Sequence, residues 1–240
     1  MSHLEDVPDF IAETKRLCAE LSRRLPQEYR PQPEHSLTTI SGRFITSKMP
    51  SKLMAVVGAL GSRAEDFAEV CHDLFKKERT VPAAVITRAL METTALLYLL
   101  HKKLKKSLDE KNIIILDEFL ILCMDGSRVD SSKPQAPNIL TAIQHLDKEP
   151  GCDQYLRFYE SLCEFAHPNS LGTIYAYAYF SSMDRSLTFR RNAGLTKTNV
   201  IAFSAVFALE IFLEFYDRII SLIPSMTELS KSFLSANPVA

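Results

Sequence analysis

The sequence predicts a mainly α fold: an up-and-down bundle of about seven to eight helices with a small β-hairpin near 172–192. Three observations predict it. Apolar residues recur at helical spacing over most of the 240 residues. Glycine is scarce, at 7 residues, which argues against a sheet-rich fold full of tight turns. One segment breaks the helical period: Ile174-Tyr175-Ala176-Tyr177-Ala178-Tyr179-Phe180 alternates with period two, and Leu187 and Phe189 resume the alternation beyond Ser181-Ser182-Met183-Asp184.

The elements follow in order. Asp9 to Leu25 has apolar residues at Phe10, Ile11, Leu17, Leu21 and Leu25, a helix ended by Pro26. Residues 26–50 carry four prolines and read as irregular. With the first helix they form an N-terminal segment, 1–50, ahead of a single helical domain, 51–240. The second helix opens at Ser51 and repeats Leu53, Val57, Leu60, Ala64, Phe67, Cys71 and Leu74, close to a 3.5 period. The third starts at Thr80-Val81-Pro82, with proline in the tolerated first turn, and runs to about Lys106. It is apolar nearly all round up to Leu100, so it belongs at the centre of the bundle. Its end, His101 to Lys106, is basic and suits the negative pole of a helix. Helices over 109–124, 138–148 and 153–166 follow. Then come the hairpin, a long helix from Thr196 or Thr198 to Ile223 ended by Pro224, and a short helix over 226–235.

Net charge is −1, so no global field draws the chain to nucleic acid or an anionic membrane. Five cysteines at irregular spacing, with no C-x-x-C, read as reduced thiols in a cytoplasmic protein. The acidic N-terminus has no signal-peptide character. Two apolar stretches, 81–100 and 199–213, need a membrane check: the first contains Arg88 and Glu92 near its middle, and the second is interrupted by Glu210. A charge at the centre of a span costs about 2.5–3.5 kcal/mol on insertion scales, so both read as core helices and not as membrane spans.

Polar residues in apolar places are the candidate site. Arg88 and Glu92 lie four apart on the central helix and share a face with Ala95 and Leu99. They form either a structural ion pair or the polar centre of a site. Glu164-Phe165-Ala166-His167-Pro168-Asn169 ends another helix, and Pro168 forces the chain out of it. His167 is either a capping histidine or a general base oriented by Glu164 one turn away. Glu-x-x-His occurs twice, at Glu69–His72 and Glu164–His167, as in di-iron bundles. Glu69 falls off the apolar seam, however, so no metal or other cofactor is assigned. In the hairpin region Tyr175, Tyr177 and Tyr179 share a strand face, with Arg185, Arg190 and Arg191 following. Tyrosine beside arginine suits a protein interface, including a homodimer contact, or stacking on RNA. Gly-rich phosphate loops and the G-x-S-x-G elbow do not occur.

Arg88-Ala89-Leu90-Met91-Glu92 with Tyr98, and Tyr159-x-x-Leu162-Cys163-Glu164-x-x-His167-Pro168-Asn169, together resemble a group of uncharacterised bacterial helical proteins. Those proteins carry R-x-x-x-E on one core helix and an E-x-x-H-P turn on another, and they are distantly similar to the HEPN superfamily. The resemblance covers roughly 80–220. It implies a helical bundle, often a homodimer, and in many members a metal-independent ribonuclease of toxin or phage-defence systems. The HEPN motif is Arg, four to six intervening residues, then His. Here Arg157 lies ten residues before His167, and only Arg30 and His35, in the Pro-rich segment, are in register. The expectation is a site of Arg88, Glu92, Glu164 and His167 that takes RNA or a nucleotide. Arg88 contacts phosphate, His167 moves a proton, and Tyr159, Asn169, Tyr175, Tyr177, Arg190 and Arg191 supply binding contacts. The alternative is a non-catalytic interaction or dimerisation module with a structural polar network.

Overall fold

The computed structural model describes residues 9–29, 37–40, 43–46, 49–192 and 198–236. The fold is mainly α, as predicted. Its order is α1 (Phe10–Arg24), β1 (Leu37–Ile40), β2 (Arg43–Thr46), α2 (Met49–Lys76), α3 (Thr80–Asp109), α4 (Ile114–Asp125), α5 (Ile139–Leu146), α6 (Tyr155–Ala166), α7 (Tyr175–Tyr177), β3 (Ala178–Ser181), β4 (Ser186–Phe189) and α8 (Thr198–Ala236). Two compact units emerge. One holds α1, residues 62–94 and residues 143–211; the other holds residues 25–61, 95–142 and 212 onward, so α2, α3, α5 and α8 contribute to both.

The helix starts have local causes. Asp9 Oδ1 accepts the backbone N–H groups of Ile11 (3.1 Å) and Ala12 (3.0 Å), capping α1. Asn138 Oδ1 does the same for Thr141 N–H (3.3 Å) at the start of α5. In α2 the buried line is Leu53, Val57, Leu60, Ala64, Ala68, Cys71 and Phe75. Beyond Ala64 it departs from the 3.5 repeat and follows the 3.6 period of a straight helix. Phe67, expected on the seam, is half-buried instead beneath the Arg63 guanidinium, 4.4 Å from the ring centroid.

In the first unit the core contains a run of aromatic contacts. Phe10, Phe158 and Phe207 all meet Phe203, with centroids 5.1–5.9 Å apart, and Tyr155 meets Phe207 at 5.8 Å. In the second, Phe215 meets both Tyr98 (5.2 Å) and His101 (5.3 Å). Helices α3 and α8 are long and apolar enough to cross a membrane by length and composition. The buried share of their apolar windows is 61% and 67%, the pattern of core helices.

Three expectations need correction. The segment read as irregular contains a hairpin, β1 pairing antiparallel with β2 from Leu37↔Thr46 to Ile40↔Arg43. The motif pair Arg30 and His35 lies outside the described residues. Pro224 does not end the long helix: α8 runs through it to Ala236. Proline removes one intrahelical N–H, but Pro224 is exposed, and Met226 and Ser230 are buried beyond it, so packing holds the last turns. The third correction concerns the tyrosines. Asn169 caps a π-helical turn, Ser170–Ile174, that runs directly into α7. The strand therefore starts only at Ala178, and Tyr175 and Tyr177 share no strand face with Tyr179.

Relieving the proline in α8 should stabilise the chain. Pro224→Ala is expected to raise the urea unfolding midpoint, by up to about 3 kcal/mol in unfolding free energy. An unchanged midpoint would show that the helix beyond Pro224 contributes nothing to the cooperative unit.

Candidate functional site

Arg88 and Glu92 lie one turn apart on α3, each side chain about a third exposed. Arginine before glutamate is the weaker order for a simple helix pair. Tyr159 of α6 completes it. Arg88 Nε donates to Glu92 Oε1 (3.1 Å) and to Tyr159 Oη (3.3 Å), and Tyr159 Oη donates to the same Glu92 oxygen (2.9 Å). The guanidinium carbon lies 5.4 Å from the Tyr159 ring centroid. The result is a closed triangle in which one carboxylate oxygen takes two donors and the phenol both gives and receives. One turn earlier, the fully buried Tyr155 donates to the Met91 carbonyl (2.9 Å), so two tyrosines of one α6 face grip one turn of α3.

The electrostatics favour protonated groups. Burial opposes the charge on Arg88, but its bond to Tyr159 and the neighbouring Cys163, Tyr159 and Glu92 outweigh that, and its pKa is raised. Burial pushes the Tyr159 phenol up to about 12, with Glu92 adding to the shift and Arg88 opposing it. Burial also raises the Cys163 thiol, against the pull of Arg88 and Tyr159. A thiol kept protonated is a poor nucleophile.

The Glu164–His167 segment is a built turn. His167 caps α6 with extended backbone (φ −84°, ψ 147°), and its N–H donates to the Cys163 carbonyl (3.0 Å). Asn169 Oδ1 accepts from Leu171 N–H (3.0 Å) and Gly172 N–H (2.9 Å), and its amide donates to Glu164 Oε2 (2.7 Å). Gly172 packs against this turn so closely that a Cβ would collide with the carbonyl oxygens of His167 and Phe165. Glu164 is therefore engaged with Asn169 and does not orient His167. The His167 ring is exposed, with no hydrogen bond or ion pair among the described residues. Of the four expected catalytic residues, Arg88 and Glu92 are brought together, and Glu164 and His167 lie at the end of α6. No hydrogen bond or ion pair joins the two pairs.

Of the expected binding residues, Tyr159 belongs to the triangle and Asn169 to the turn. Tyr175, Tyr177, Arg190 and Arg191 are exposed. The sequence reading missed two features. Asp117 is buried in α4 and paired with Lys52 of α2 at 2.7 Å; the Asp117-Glu118 pair inside an otherwise apolar helix was the available signal. The second is the extent of the exposed apolar surface around the hairpin: Ile174, Tyr175, Tyr177, Tyr179, Phe180, Met183, Leu187 and Phe189. In the β3–β4 register, Phe180 lies opposite Leu187 and Ala178 opposite Phe189, so these four share one face. That face has no polar member; Phe180 is 62% exposed and Phe189 74%. Among the described residues no group of three His, Cys, Asp or Glu is arranged to hold a metal ion. Comparison with family models, curated proteins and solved structures finds no match.

Two outcomes follow for the polar interior. Tyr159→Phe should cost about 0.5–1.5 kcal/mol in a urea melt by removing one donor and one acceptor; no cost would mean that the triangle does not fasten α6. Alkali should weaken the fold. Burial raises Cys71 and Cys123 to about 12 from an ordinary 9.0, so the stability they contribute is full below pH 9 and is lost as pH rises toward 12. A urea midpoint that stays flat from pH 8.5 to 11.5 would contradict this.

Proposed function

We propose that this protein is a non-catalytic interaction module whose working surface is the β3–β4 hairpin and the turn leading into it. The observation that carries the reading is the hairpin face of half-buried Ala178 with exposed Phe180, Leu187 and Phe189. Contiguous apolar surface of this kind on a folded protein marks a docking site. Aliphatic Leu187 and the 97%-exposed Met183 suit a protein partner better than a stacked base. In this reading the Arg88–Glu92–Tyr159 triangle is a structural network: it fixes α6, and α6 carries the hairpin through the Asn169 turn. The five free cysteines fit work in the cytoplasm.

One observation favours a second reading, the HEPN-like RNA-binding one. Arg185, Arg190 and Arg191 are exposed on the same segment that exposes Tyr179, Phe180 and Phe189, a combination that suits single-stranded RNA. The ribonuclease scheme has less support, because it requires His167 to act with Arg88 and Glu92.

A photo-crosslinking residue at Phe180 separates the readings in cells that make the protein. The docking module predicts discrete protein adducts that survive ribonuclease. It also predicts that Phe189→Ser abolishes them while leaving the thermal midpoint within a degree or two, since the ring is exposed. Adducts that ribonuclease removes would replace the proposal with the RNA reading. Absence of any adduct would overturn it.

A further inference from the structure

The hairpin has a second unfilled feature, its outer edge. Arg190 N–H donates to the Tyr177 carbonyl (3.0 Å), extending the register by one pair beyond Ala178↔Phe189. Antiparallel ladders alternate, so Thr188 and Ser186 also turn their N–H and C=O groups toward β3, and those of Leu187 and Phe189 point outward. Among the described residues no backbone group bonds to them. Natural edge strands are guarded by proline, lysine, a bulge or a covering segment. Ser186-Leu187-Thr188-Phe189 has no proline or lysine, no bulge breaks its register, and all four residues are exposed.

We propose that β4 pairs antiparallel with β4 of a second copy about a two-fold axis at Leu187, joining two hairpins into one four-stranded sheet. This rests on the hairpin being the docking element. Backbone parity and charge select the register. Outward-facing residues must oppose outward-facing residues, which rules out an axis between Leu187 and Thr188. An axis at Thr188 would set Arg185 against Arg191 at both ends of the ladder, and like charges directly opposite are destabilising. An axis at Ser186 would leave Leu187, Thr188 and Phe189 all opposite the turn residues 183–185. The axis at Leu187 keeps Ser186, Leu187 and Thr188 in the ladder and brings Arg190 of each copy beside Asp184 in the turn of the other. Asp184 is exposed, and hydrogen bonds from Ser181 and Ser186 keep its carboxyl below the usual range, so it is charged at neutral pH. Directly opposed residues share a face, so the two Phe180–Leu187–Phe189 surfaces become continuous. A two-stranded hairpin is marginal by itself, and four strands are not.

Sedimentation velocity on the full chain tests the pairing. Wild type is expected at twice the 27.1 kDa chain mass across micromolar concentrations. Leu187→Pro is expected at the single mass, because proline there removes only an outward N–H and leaves the β3–β4 bonds in place. In a background with Cys123 and Cys163 replaced by serine, Leu187→Cys should oxidise to a disulfide-linked dimer and Thr188→Cys should not. A monomeric wild type, or cross-linking through Thr188 in place of Leu187, would overturn the proposal. Phe189→Ser keeps the outward backbone groups of the edge, so its dimer should persist although the adducts at position 180 are lost. A monomeric wild type that still yields Phe180 adducts would leave the docking function standing and remove self-pairing alone.

Discussion

The grip of two α6 tyrosines on one turn of α3 is the constraint on which the placement of the hairpin depends. Tyr155 reaches the Met91 carbonyl in the dry interior, and Tyr159 closes the triangle with Glu92 and Arg88 at the margin of the core. These bonds fix both the rotation of α6 about its axis and its height along α3. Everything downstream inherits that placement: the His167 cap, the Asn169 turn, the π-helical turn and the hairpin. A charged pair inside an apolar helix thus reads as a positioning device. Glu92 satisfies two donors with one oxygen, and the phenol mediates between partners that would interact weakly by themselves.

Much of this was legible in the sequence where one period dominates. Helices α1, α3, α5 and α6 follow from apolar spacing and from caps such as Asp9 and Asn138, because short-range chemistry decides them. The failures lie where local signals compete. Leu37-Thr38-Thr39-Ile40 and Arg43-Phe44-Ile45-Thr46 flank Ser41-Gly42, a hairpin signature overshadowed by the surrounding prolines. In the tyrosine run, period-two alternation suggested a strand, but the Asn169 side chain starts a helical turn that persists to Tyr177. Pro224 looked like a stop because its effect on the backbone is local, while the packing of Met226 that overrides it is not.

The candidate site divided in the same way. Arg88 and Glu92 were visible because charge is rare on a central apolar helix. Tyr159 entered only through the resemblance and as a binding contact; its bonds to both charged partners were not foreseen. Two acceptable partners for Glu164, His167 and Asn169, lie within reach along the chain, and the sequence alone does not show that Asn169 is the one that bonds to it. The exposed apolar face was hidden for a different reason. A run of tyrosine, phenylalanine and leucine reads the same whether it is buried or left to solvent, and burial is a property of the whole fold.

The missing Cβ at Gly172 has a mechanical consequence. With its backbone against the carbonyls of Phe165 and His167, the root of the hairpin is braced on the last turn of α6 and cannot swing as a free arm. The direction in which the hairpin leaves the helix is thus set by backbone packing at its root, where a methyl group in place of the Gly172 hydrogen would have no room.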